Sequence, residues 1–144
     1  MKRDPALVDL SHDHHQALYT AMLMQRATAT DLAEVRDDTL EFWAAQGSKH
    51  FRIEEEVLLP AFAAAGDPRE EAVVTVLVEH VWIRERMGRM AAGELDLADV
   101  HELGERLAAH VRHEERVLFP LIERTLDADA LVSLGSRISA AEHA

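Results

Sequence analysis

Four stretches of the chain repeat inward-facing positions at spacings of three and four, and each stripe is interrupted by a histidine. The second reads Leu40, Trp43, Gly47, His50, Glu54, Val57, Ala61, and the fourth reads Leu103, Leu107, His110, Glu114, Val117, Leu121. The third carries Val73, Val76, His80, Ile83 and Met87, and the first carries Val8, Ser11, His15, Leu18 and Met22. Such a stripe is the buried seam of an amphipathic helix. Long helices joined by short loops pack as antiparallel neighbours. The pattern therefore predicts an all-α fold, an up-down-up-down antiparallel four-helix bundle over residues 1–126. Residues 127–144 are expected to add a short helix or tail.

Local signals place the helix ends. Asp4-Pro5 opens the first helix, with proline at the first helical position, and the helix is expected to run to about Ala29. Asp31 and Glu34 read as a capping box for the second, which Gly66 ends near Ala65. Asp67-Pro68 with Glu70 starts the third, which stops before Gly93, and Asp96 with Asp99 starts the fourth, which runs to about Leu126. Pro60 and Pro120 lie inside helical patterns and are expected to kink or end them.

Composition narrows the chemistry. The net charge of −12, from 27 Asp and Glu against 15 Lys and Arg, argues against a nucleic-acid or anionic-membrane surface. No cysteine is present, which removes disulfides, iron–sulfur clusters and thiolate ligands. The first residues turn acidic and histidine-rich too early for a signal peptide, and the apolar run VVTVLV is too short for a span. A cytoplasmic location is the expectation. Any metal must be held by nitrogen and oxygen.

HFRIEEEVLLP at 50–60 recurs as HVRHEERVLFP at 110–120, sixty residues later, so His-x-x-x-Glu is written twice on inward stripes. With turns near Thr30, Gly66 and Glu94, His15, His50, His80 and His110 lie fourteen to twenty residues from their flanking turns. The mismatches amount to roughly 3 to 8 Å of helix rise. One histidine from each helix thus reaches a similar height. A lone inward histidine is usually a hydrogen-bonded core residue, oriented by a neighbouring carboxylate. Two buried glutamates without an inward Lys or Arg would each cost several kcal/mol, which a cation would offset. Imidazole with carboxylate suits iron, manganese or zinc. Two ions, each held by two histidines and bridged by Glu54 and Glu114, fit the count.

HHQALYTAM around His15, HFRIEEEVLLP, EHVWIRERM around His80 and HVRHEERVLFP together resemble the hemerythrin-like (HHE cation-binding) family over roughly residues 7–124. The resemblance implies a four-helix bundle around a non-haem di-iron centre reactive towards dioxygen and related small molecules. Its ligand roles fall on His15, His50, Glu54, His80, His110 and Glu114. The oxygen carriers of that family have a further histidine where this chain has Val76, and a longer His-to-Asp spacing in the fourth helix. A ferritin-like site is disfavoured because no histidine has Glu three residues before it.

His14 is a further candidate ligand, on the Leu7, Leu10, Ala17 flank of the first helix. His12 and Tyr19 suit hydrogen bonding to the site, His113 a packing or supporting role, and Glu55 and Glu115 solvation or hydrogen bonds. The expected cofactor is two iron ions, with manganese or zinc as alternatives, and the expected partners are O2, NO or peroxide. The expected function is to bind or sense one of these, or to hold iron. Two others remain open, a di-iron enzyme turning over peroxide or nitric oxide and a metal-binding regulatory or interaction module without turnover.

Overall fold

A computed structural model describes residues 2–144. Among the described residues there are five helices and no strand. After a 3-10 turn at Pro5–Leu7 come α1 (Val8–Gln25), α2 (32–65), α3 (Glu71–Ala91), α4 (97–125) and α5 (Ala128–Glu142). The first four form the bundle. The C-terminal segment is a full helix that packs on the Pro5–Leu7 turn and on Ser48–Ile53 and Glu54–Leu58 of α2.

Capping follows the residues in part. Asp4 accepts a hydrogen bond from the Ala6 amide, and Asp96 and Asp99 form a reciprocal box at 2.8 and 3.1 Å. Asp31 does not pair with Glu34. Its carboxylate instead accepts from the Thr28 amide and hydroxyl, closing the turn that follows α1, which ends at Gln25 rather than near Ala29. Asp67 similarly caps a turn at the Arg69 amide, and α3 begins only at Glu71.

Neither internal proline ends its helix. Each follows a π turn: the Leu59 amide donates to the Glu54 carbonyl and the Phe119 amide to the Glu114 carbonyl, five residues back. Proline lacks an N–H and its ring collides with the carbonyl four residues earlier, so a locally widened turn lets the helix pass through. The widening also shifts the stripe. After Glu54 burial falls on Leu58, Leu59 and Phe62 rather than on Val57 and Ala61; after Glu114 Leu118 is buried while Val117 is 45% exposed.

From Leu7 of the turn into α1 the buried face is Leu7, Leu10, His14, Ala17, Thr20, Ala21 and Met24, its main stripe one residue out of register with the expected one. Small residues win here because α1 and α4 cross closely. A Cβ on Gly104 would lie 2.7 Å from the Ala21 carbonyl oxygen. Two apolar cores result, one around Leu10, Phe62, Phe119 and Leu134, the other around Met24, Ile83, Met87 and Leu103. Between them runs a polar layer.

Candidate metal centre

That layer consists of His14, His50, Glu54, His80, His110 and Glu114, all buried. Five of these are the residues expected from the sequence. The sixth is His14, not His15: His15 is exposed, its ring edge-on to that of His12 at 5.5 Å. The displacement follows from the α1 register, since the stripe through Ala17 and Ala21 carries His14 inward. A second sequence signal marks it: Asp13-His14 and Glu79-His80 are the same acid–histidine pair, sixty-six residues apart.

The six side chains divide into two groups, His14 with His50 and His80 with His110, and both glutamates belong to each. Glu114 turns Oε1 to His14 Nε2 at 2.8 Å and His50 Nε2 at 3.7 Å. Its Oε2 faces His110 Nε2 at 3.2 Å and His80 Nε2 at 3.8 Å. Glu54 turns Oε2 to His50 at 3.2 Å and Oε1 to His80 at 3.1 Å. Each carboxylate thus offers one oxygen to each histidine pair.

The outer ring nitrogens are all engaged by carboxylates. His14 Nδ1 meets Glu115 at 2.6 Å, His80 Nδ1 meets Glu55 at 2.6 Å, His50 Nδ1 meets Asp13 at 3.0 Å and His110 Nδ1 meets Glu79 at 2.8 Å. Glu55 is held by Arg84, and Glu115 by Ser11 and Arg3. These contacts obey the same pseudo-twofold relation as the repeat. Such a carboxylate fixes the ring's orientation and, when Nδ1 carries the proton, leaves the Nε2 lone pair pointing inward. The ring planes are further set by Phe51, stacked on His80, and Phe119, stacked on His14. His12, Tyr19 (54% exposed) and His113, bonded to the Ala72 carbonyl, do not join.

Nε2 of His50, His80 and His110, both oxygens of Glu54 and Oε2 of Glu114 are buried without a hydrogen-bond partner. Orphaned polar atoms at this density are rare in a folded core. They are the donor set a cation would engage, so the residues fit a metal. In the metal-free chain, protons take its place. Burial opposes the charged ring of His80, but attraction to Glu114 and Glu54 pushes its pKa up to about 9; for His110, against the same burial, Glu114 pushes it to about 10. Burial works against the Glu114 anion too, yet His110 and the other rings hold its pKa well below the ordinary value. Asp13 also meets Glu142 of α5, whose carboxyl is raised to about 7 by burial and by Asp13.

Beside the cluster, a cavity of about 20 Å³ reaches His50, His110 and Glu114 past Trp43, Gly47 and Leu107. It can hold a water-sized molecule. A Cβ on Gly47 would lie 2.7 Å from Trp43 Cε3 and 3.0 Å from Phe42, so close packing of these rings favours glycine here.

An all-α bundle with paired His/Glu groups in its core fits a metal-binding protein. Residues 6–122 match the hemerythrin HHE cation binding domain, and the chain belongs to that family. No curated protein and no solved structure gives a significant match. Among the described residues, no helix is long and apolar enough to cross a membrane.

Proposed function

We propose that the chain is a dinuclear non-haem iron protein that binds or senses a small ligand such as O2, NO or peroxide. The observation that carries this is the division of each buried carboxylate between two histidine pairs, which suits two bridged ions rather than one. One ion would be held by His14 and His50, the other by His80 and His110, with Glu54 and Glu114 shared. Nitrogen and oxygen donors without sulfur suit iron, with manganese or zinc as the alternatives. Bound iron would supply coordination positions for an outside ligand and a change of oxidation state.

The chain's own residues shape what can arrive there. Asp13, Glu55, Glu79 and Glu115 hold the imidazoles in place from outside. Val76, fully buried one turn before His80, adds no donor. The cavity beside Gly47 admits a ligand no larger than a few atoms. The test is to load the protein anaerobically with ferrous iron and add NO, O2 or peroxide in steps while recording the optical spectrum. A spectral change that saturates in proportion to the bound iron is expected. No change with any of the three contradicts the reading.

A further inference from the structure

Helix α5 lies beyond the residues that match the hemerythrin domain, yet its last residue reaches the polar layer. One carboxylate oxygen of Glu142, one of Asp13 and a ring nitrogen of His50 lie within 4.8 Å of one another. Glu142 Oε1 is buried without a hydrogen-bond partner. The helix end is gripped from the same side: Lys49, next to His50 in the chain, donates to the Glu142 carbonyl at 2.7 Å and the Ala144 carbonyl at 3.4 Å. Leu134 and Ile138 anchor the rest of α5 in the core shared with Leu10 and Phe119.

The twofold relation of the centre breaks at this point. Asp13 and Glu79 occupy mirrored places, each bonded to the outer nitrogen of a histidine. Only Asp13 is backed by a third carboxylate; among the described residues the Glu79–His110 pair has none. We propose that Glu142 is a positioning residue, which braces Asp13 against His50 and makes retention of the ion at His14 and His50 depend on the docked C-terminal helix. Glu142 belongs to neither of the two buried His/Glu groups of the centre, so it acts through Asp13. The two otherwise equivalent positions thereby become unequal, and displacement of α5 loosens one ion first.

The proposal rests on the dinuclear reading, and the experiment separates the two. Iron-loaded protein carrying all 144 residues is mixed with excess chelator and release is followed spectrophotometrically, for wild type, Glu142→Ala, Glu142→Gln, Lys49→Ala and Glu79→Ala. Loss of a residue that orients a ligand typically costs ten- to a hundredfold in affinity. Glu142→Ala is expected to release half the iron about tenfold faster and the rest at the wild-type rate. Glu142→Gln, whose amide N–H donates to Asp13, stays near wild type. Lys49→Ala frees the helix end without removing a carboxylate and reproduces the selective loss. Glu79→Ala speeds the other half, so the double variant with Glu142→Ala releases both quickly. A purely structural role for α5 would lower thermal stability and speed both halves alike, and that result overturns the proposal, as do unchanged kinetics in Glu142→Ala. A wild-type chain that takes up no metal overturns the dinuclear reading and this proposal together.

Discussion

Replacing His14 and His15 in turn separates two neighbouring histidines that the fold sends to opposite environments. His14 is buried with Nε2 2.8 Å from Glu114 and Nδ1 2.6 Å from Glu115, whereas His15 is exposed. His14→Ala removes one of two imidazoles from one metal position and leaves His80 and His110 intact at the other. Metal content is therefore expected to fall from about two ions per chain to about one. In the metal-free protein the same change strips the buried Glu114 oxygen of its partner, at about 1 to 3 kcal/mol, and leaves a cavity the size of the ring. Water can reach Glu115, which is partly exposed, so its loss adds little. A total near 3 kcal/mol corresponds to a melting temperature lower by about 10 °C. His15→Ala should stay within about 0.5 kcal/mol, as exposed substitutions do, and keep both ions. Elemental analysis with thermal melts by circular dichroism reads both effects. A His14→Ala chain that keeps two ions, or a His15→Ala chain that loses one, would refute the placement.

Other outcomes follow from the packing and the charges. Gly104→Ala puts a Cβ against the Ala21 carbonyl and is expected to destabilise by about 1 to 3 kcal/mol, read as a lower melting temperature; an unchanged one contradicts the close α1–α4 crossing. The raised values of His80 and His110 lend stability that is complete below the ordinary histidine value and lost as pH rises through about 9 to 10. Metal-free protein should thus melt progressively lower between pH 7 and pH 10, and a flat or rising trend would count against the protonated cluster. The lowered value of Glu114 acts in the opposite direction, but only in acid, outside that window. Stripping the metal should lower the melting temperature while helical circular dichroism persists, because an apolar core lies on either side of the polar layer; loss of the helical signal would contradict this.

Much of this fold is legible in the stripes, because burial at a helical period leaves a direct trace in residue type. The α3 stripe of Val73, Val76, His80, Ile83 and Met87 is buried as its spacing predicts. The α1 stripe is harder to read, since its inward residues Ala17 and Ala21 are small for the sake of close packing and look less apolar than Leu18 and Met22. The side of the helix that carries the histidine is misplaced for that reason. The steps to Leu58 and Leu118 are hidden because a straight helical wheel contains no π turn, although each proline marks one. Among the supporting carboxylates, Glu55 and Glu115 recur in the visible repeat. Asp13 and Glu79 escape because they sit on α1 and α3, where the duplication has blurred to a two-residue echo. Nothing local announces Glu142, which meets Asp13 only through the docking of a helix more than a hundred residues away.

Metal content measured after loading with ferrous iron and removal of excess tests the central claim most directly. Two ions per wild-type chain are expected, falling to one or none in Glu114→Ala, whose two oxygens serve both histidine pairs. A wild-type chain that holds a single ion, or a Glu114→Ala chain that still holds two, would contradict a centre built on shared carboxylates.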